Sequence, residues 1–313
     1  MAQTKEPDVH QKKSGNGKAQ AEDSSHDIQR LNVLKTYKLY IGGKFPRTES
    51  GRYFTTNDPD GKPLANMCQG SRKDFREAVV AARKAVSGWS GSSAYLRGQI
   101  LYRIAEMLEG RREQFVSELA TQGIPKADAQ SEVDKAIDRL VYYAGWCDKY
   151  QQVFSSVNPV SASYFNFSLC ESTGVVGLIA PEESGLLGLV SGIVPIIAGG
   201  NSCIVLASSR YPLCAITLAE VLNTSDVPGG VVNILTGFRD ELLTYFASHM
   251  DVNAVIYYGS ETNEIQELQS NSALNVKRII IREAADLASD TSQSPYHIID
   301  TQEIKTTWHP VGL

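Results

Sequence analysis

Cysteine is scarce in this chain of 313 residues: there are five, and none stands at a C-x-x-C or Cys/His spacing. No cysteine metal site and no disulfide framework is therefore expected. Cys147, Cys203 and Cys214 fall inside apolar stretches, and with Cys68 and Cys170 they read as buried, reduced thiols of a cytoplasmic protein. No apolar run reaches the ~18 residues of a membrane helix. The longest, around Leu186 to Ala198, holds glycines and Pro195 and suits a buried helix. Basic stripes are missing too: Lys and Arg number 30 against 35 Asp and Glu, a net charge of −5, so neither nucleic acid nor a membrane surface is expected as a partner. Residues 1–33 have no apolar core for a secretory signal and mix acids with bases, unlike a transit peptide, so they read as a disordered tail. Internal repeats are absent.

What is present is material for a core. At 42% hydrophobic the chain can build one large or two modest domains. Order is expected from "YKLYIGGKF", Tyr37 to Phe45, where alternating apolar residues around Gly42-Gly43 suggest a hairpin. Ser71 with Asp74 makes a capping box ahead of "FREAVVAARKAVSGW". Ile100, Leu101, Ile104 and Leu108 stripe a second helix. A shorter one through Phe115 and Leu119 stops at Gly123 and Pro125, and a longer one carries Val133, Ile137, Leu140 and Ala144. At "SASYFNFSLC" the period changes to alternation, which predicts an extended arm over 160–173 able to pair with another subunit.

From Gly174 onward strands and helices take turns: "GVVGLIA", a helix from Ser184, "SCIVLA", a helix from Pro212, "GVVNILTG", a helix from Asp240, "VNAVIYYG", a helix near Glu264, and "VKRIIIRE". Short runs rich in Val and Ile between helices of ten or so residues belong to a parallel sheet covered on both faces. The expected fold is α/β: a doubly wound, mostly parallel Rossmann-like sheet with an N-terminal helical block and an extended β arm. Residues 34–290 form the module and 291–313 a C-terminal extension.

Ligands in such a sheet sit outside the carboxyl ends of the strands, which directs attention to three turns. After the first strand, Glu182 and Glu183 are adjacent carboxylates. Adjacent side chains diverge, so they read as helix N-terminal acids rather than as an acid and base pair, and Ser184 reads as a helix cap because "ESG" is no nucleophile elbow. After the second strand come Ser208, Ser209 and Arg210; the last suits a phosphate or a loop cap equally. After the fourth, Gly259 and Ser260 open a helix as a phosphate turn would, but G-x-G-x-x-G is missing and Glu261 and Glu264 would repel a pyrophosphate. His297 and His309 have no acid or thiol partner in sequence and read as structural or surface residues.

The succession "YKLYIGGKF", "AIDRLVYYAGWCDKY", "STGVVGLIAP", "DVPGGVVNILTG" and "KRIIIRE" closely resembles the aldehyde dehydrogenase superfamily, from about Tyr37 to Glu283. It is most similar to the second, incomplete module of the two-module members, family sixteen. The resemblance implies an NAD(P)-dependent site and lets each part be matched. Pro181 in the family's P-W-N-F-P places Glu183 where an Asn helps form the oxyanion hole, and a carboxylate there opposes the developing charge. Asn201 and Pro212 place Leu206 at a Lys that contacts the cofactor and Ser209 at a residue beside the adenosine ribose. The G-S-T-x-x-G turn becomes Gly259 to Glu264, with Glu261 and Glu264 at its Thr and last Gly. The E-L-G-G segment becomes Arg282-Glu283-Ala284-Ala285, with Arg282 at the general base; a shift by one residue brings Glu283 there instead. The family's catalytic Cys lies downstream of this segment, and no cysteine follows Cys214. By the same resemblance the substrate tunnel and the C-terminal oligomerisation strand are expected to be missing.

The leading expectation is a non-catalytic aldehyde dehydrogenase-like module acting in a homo-oligomer or with a full-length aldehyde dehydrogenase, with no cofactor. The alternative is an NAD(P)-dependent aldehyde oxidoreductase with an unorthodox or shared site, using Glu182, Glu183 or Glu283 as acid or base.

Overall fold

The computed structural model describes residues 33–283 and 287–312. The tail expected over 1–33 lies outside them but for Val33, as do Ala284 and Ala285. In chain order the elements are β1 (Lys35–Tyr37), β2 (Tyr53–Asn57), β3 (Pro63–Cys68), α1 (Arg72–Ser90), α2 (Ala94–Gly110), α3 (Arg112–Thr121), α4 (Lys126–Ala144), α5 (Tyr150–Phe154), β4 (Ser156–Asn158), β5 (Tyr164–Ser172) and β6 (Val175–Ile179). There follow α6 (Leu187–Ala198), β7 (Ser202–Leu206), α7 (Leu213–Thr224), β8 (Val232–Leu235), α8 (Arg239–Ser248), β9 (Ala254–Tyr258), α9 (Thr262–Ala273), β10 (Arg278–Arg282), α10 (Tyr296–Ile299) and β11 (Gln302–Pro310).

The central sheet runs β10-β9-β6-β7-β8, with every neighbouring pair parallel. The four strands from β6 to β9 in sequence are buried at every position, as a sheet covered on both faces requires. Phe75, Val79 and Ala82 of α1 pack on one face with Leu242 and Phe246 of α8. Helices α2, α3, α4, α6 and α7 supply the cluster on the other. The chain starts in the middle, runs outward through β7 and β8, then crosses back to β9 and β10. Between β6 and β9 the winding reverses. The expected doubly wound α/β fold is the observed one.

The N-terminal expectations hold in detail. Gly42 and Gly43 sit at φ +61° and +77°, which a two-residue type I′ turn requires, and Ile41 and Lys44 exchange backbone bonds of 2.9 and 3.0 Å across it. This hairpin closes an edge of the sheet, since the Tyr40 amide donates to the Ile234 carbonyl at 2.9 Å and the Ile234 amide returns the bond at 2.7 Å. At the head of α1 the capping box forms as read from sequence. The buried Asp74 carboxylate also accepts from Thr48 Oγ1 at 2.6 Å and the Glu49 amide at 3.1 Å, so it ties the loop after the hairpin to the helix.

The predicted arm is β5, held between β4 and β11 in an antiparallel sheet. Nine residue pairs run from Gln302 opposite Ser172 to Pro310 opposite Tyr164. The segment read as a C-terminal extension supplies β11, so both edges of the arm that the sequence offered for pairing with another subunit are taken within the chain. Asn201 fixes the approach to that strand, accepting from the Gly174 amide at 2.8 Å while its Nδ2 donates to the Thr301 carbonyl at 3.0 Å.

Because Asp74 is buried and accepts from four donors, its removal leaves them unsatisfied. Asp74→Ala is expected to lower unfolding free energy by about 3 kcal/mol in urea titrations. An unchanged midpoint would show that the loop and the helix are not coupled through it.

Candidate functional site: the crevice at the strand ends

The connections after β6 and β9 leave the sheet in opposite directions, and a crevice of about 920 Å³ opens beyond their carboxyl ends. This is where a doubly wound sheet takes a ligand. Of the residues singled out in sequence, the structure gathers Glu182, Glu183, Ser209, Arg210, Gly259, Ser260, Glu261, Glu264 and Glu283 there. Leu206 and Arg282 are not among them.

Glu182 does not serve the next helix, as the sequence suggested. Its Oε2 instead accepts from the Ser209 amide at 2.8 Å, the Arg210 amide at 3.1 Å, and the Ser208 and Ser209 hydroxyls at 3.1 Å each. A carboxylate thus fills the nest of donors that follows β7. The N-terminus of α6 is served by Glu132, reaching over from α4: its Oε1 accepts from the Leu186 amide at 2.8 Å, the Leu187 amide at 3.0 Å and Ser184 Oγ at 2.7 Å. Ser184 Oγ accepts in turn from the Gly188 amide at 2.7 Å, although the N-cap position is Leu186 rather than Ser184 as read from sequence. Glu183, the neighbour of Glu182, is exposed on the crevice wall.

Arg239, the first residue of α8, lies across the crevice floor. Its Nη2 donates to the Ala180 carbonyl beyond β6 at 2.6 Å and to the Tyr258 carbonyl at the end of β9 at 3.1 Å. Its Nε lies 3.3 Å from Glu182 Oε1 and its Nη1 3.4 Å from Glu264 Oε2. The guanidinium also sits 5.3 Å from the centre of the Tyr257 ring, whose hydroxyl donates to Glu264 Oε2 at 2.5 Å. Gly259 has a packing reason in this arrangement: a Cβ there would meet the Tyr257 hydroxyl at 2.5 Å. Ser260 and Glu261 are exposed, and Glu261 caps α9 without a side-chain hydrogen bond.

Beyond β10 the two candidate base positions part company. Glu283 faces the crevice, exposed. Arg282 turns away, donating to Asp300 Oδ2 at 2.7 Å and to the Tyr258 hydroxyl at 3.1 Å. Near it the Nδ1 of His297 lies 3.2 Å from the Tyr143 hydroxyl, and burial, reinforced by the charge on Arg282, lowers its pKa to about 4. His309 is exposed on β11. All five cysteines are unpaired and buried, and none lines the crevice. Burial pushes the Cys147 thiol up to about 12, raises that of Cys203 further and holds that of Cys214 well above its ordinary value, so these are no thiolates at neutral pH. Among the described residues no His, Cys, Asp and Glu cluster could hold a metal.

A dinucleotide placed as the family resemblance implies would need the turn after β7 for its ribose and the turn after β9 for its phosphates. Leu206 is buried and offers no donor. Ser209 is already bonded to Glu182, and Glu261 and Glu264 stand at the second turn. The residues as arranged do not fit that group.

Sequence reasoning missed Arg239 and Glu132. The first carried a signal: it follows the third strand of the sheet, where the rule applied to the other strand ends also holds. The second carried none, because its partners lie more than fifty residues away.

Strand order and crevice place the chain in the class of Rossmann-like α/β proteins. Residues 45–285 match the aldehyde dehydrogenase family, and the chain belongs to it. It is 32% identical over 260 residues to retinal dehydrogenase 2 of Gallus gallus, covering 80% of this chain and 49% of that protein. To the mitochondrial aldehyde dehydrogenase of Rattus norvegicus it is 31% identical over 252 residues, covering 78% of this chain and 48% of the relative. An aldehyde dehydrogenase from Bacillus cereus, solved as an NAD+ complex, superposes with a TM-score of 0.76 at 27% identity, covering 80% of this chain and 51% of that one. The chain thus spans about half the length of these relatives. Among the described residues no helix is long and apolar enough to cross a membrane.

His297 yields a pH dependence. The unfolded chain takes up its proton near pH 6.5, whereas the folded chain resists until about 4. Unfolding therefore gains protons in that window, and stability falls as pH drops through it, by up to about 3 kcal/mol. Urea midpoints at pH 7 and pH 4.5 should draw together in His297→Gln relative to wild type; an identical pH response in both would refute the assignment.

Proposed function

We propose that this chain is a non-catalytic aldehyde dehydrogenase-like module that acts through its surfaces, in a homo-oligomer or beside a complete aldehyde dehydrogenase, in the cytoplasm and without a dinucleotide cofactor. The reading fits the second, incomplete module of family sixteen. One observation carries it: the crevice presents carboxylates where the family's reaction needs donors and a nucleophile. Glu183 lines the crevice, and matching Pro181 to the family's pattern puts it where the oxyanion-hole Asn would be, a place where a fixed negative charge would raise the energy of a developing alkoxide. Among the described residues no thiol lines the crevice to form the covalent adduct from which hydride would leave.

The arm supports the assembly part. Phe165 and Leu169 of β5 and Val157 of β4 are exposed on one face of this sheet, and Ile304 and Trp308 of β11, which forms an outer edge, are exposed on the other. An apolar face beside an unpaired strand edge is the kind of surface that oligomers cover.

A second reading is an NAD(P)-dependent aldehyde oxidoreductase with a shared site. Two observations favour it: Glu283 faces the crevice, and the N-terminus of α9 has no side-chain cap. The Bacillus cereus relative binds NAD+.

Two measurements decide. The purified chain should produce no NAD(P)H across an aldehyde panel, and NAD+ at 5 mM should move its Tm by less than about 1 °C, whereas a Kd near 50 µM would raise Tm by about 5 °C. Turnover abolished by Glu183→Gln or Glu283→Gln would establish the second reading. Native mass spectrometry should find a homo-oligomer, or a complex when a full-length aldehyde dehydrogenase is added, and Phe165→Asp with Leu169→Asp should shift it to monomer. Monomer alone, with and without the full-length enzyme, would sink the assembly reading.

A further inference from the structure

We propose that the switch-point crevice is a guanidinium site, occupied in cis by Arg239, which takes the place that a dinucleotide has in the fold. The donors and acceptors around this side chain are those of a cation receptor. Two strand-end carbonyls, Ala180 and Tyr258, accept from one nitrogen of the fork, the carboxylates of Glu182 and Glu264 flank the other two, and the Tyr257 ring lies 5.3 Å away. These five groups come from the ends of β6 and β9, the turn after β6 and the first turn of α9, the two sides of the reversal in winding. With its side chain 14% exposed, Arg239 is held on the crevice floor rather than reaching into solvent. Nη1 and Nη2 donate, while Nε lies 3.3 Å from Glu182 Oε1 as an ion pair without a hydrogen bond; a planar fork matches this set, whereas a lysine ammonium cannot span both carbonyls and both carboxylates at once. Removing the guanidinium leaves two carboxylates and two carbonyls facing a cavity, a surface that repels phosphate and attracts a small planar cation.

The inference builds on the reading of the crevice as one without a dinucleotide. Its test reads melting temperature, not turnover, so either can fail alone. Arg239→Gly in the full chain should lower Tm by about 5–10 °C. Low-millimolar methylguanidinium chloride should restore at least half of that loss along a saturable curve, while potassium chloride at equal ionic strength restores none and neither salt raises the wild-type Tm. Arg239→Lys should fall between the two and gain little from methylguanidinium. If Arg239→Gly is insoluble, recovery of soluble, cooperatively melting protein only when it is refolded with methylguanidinium supports the proposal. An unchanged Tm in Arg239→Gly, a loss that potassium chloride reverses equally, or an insoluble variant that methylguanidinium does not recover would overturn it.

Discussion

A parallel sheet leaves the carbonyls at the carboxyl ends of its strands without ladder partners, and where the winding reverses no connecting backbone passes over them. In this protein that exposed place lies between β6 and β9. The Ala180 and Tyr258 carbonyls are both satisfied there by Arg239, which also places the start of α8 against the turn after β6. The loops around the crevice take their positions from this contact. Glu182 is drawn toward the guanidinium on one side and reaches the amides after β7 with its other oxygen; Glu264 is drawn in from α9. The geometry beyond the strand ends is thus set by charges that the chain carries itself.

The same arrangement explains how the fold tolerates so many carboxylates around its crevice. Glu183, Asp240, Glu261 and Glu283 add negative charge to the crevice wall, yet all are exposed, and water and salt screen their mutual repulsion over a Debye length of about 8 Å. They cost the fold little. For a bound phosphate or an oxyanion, held within hydrogen-bond distance of the same groups, screening gives no such relief. Stability and catalysis therefore place different demands on these positions, and the buried strands below are indifferent to which demand is met.

That separation also governs what could be read in advance. Strands β6 to β10 were legible because they are nearly continuous apolar runs, and the capping box at Ser71 and Asp74 and the turn at Gly42-Gly43 were legible because their causes lie within a few residues. The crevice residues were legible as a set of positions after strand ends. Their bonding was not. Glu182 looks from sequence like an acid for its own helix, but the amides after β7 are nearer and unsatisfied, and the helix finds Glu132 instead. The arm was legible as a strand, while its partner β11 was not, because strands so far apart in sequence carry no local sign of pairing.

Gly259 has a packing reason that is independent of any ligand. In a phosphate turn that glycine lets a ligand approach the backbone; in this protein the space is taken by the Tyr257 hydroxyl, 2.5 Å from where a Cβ would stand. The ring is buried, its hydroxyl donates to Glu264, and Arg239 lies beside its face. Glycine, tyrosine, glutamate and arginine interlock, so that replacing Glu264 by the family's glycine would leave both the Tyr257 hydroxyl and the guanidinium short of an acceptor, and a side chain at 259 would displace the ring. Packing alone is enough to require glycine at this position, because the alternative displaces a buried ring whose hydroxyl and neighbouring guanidinium share Glu264.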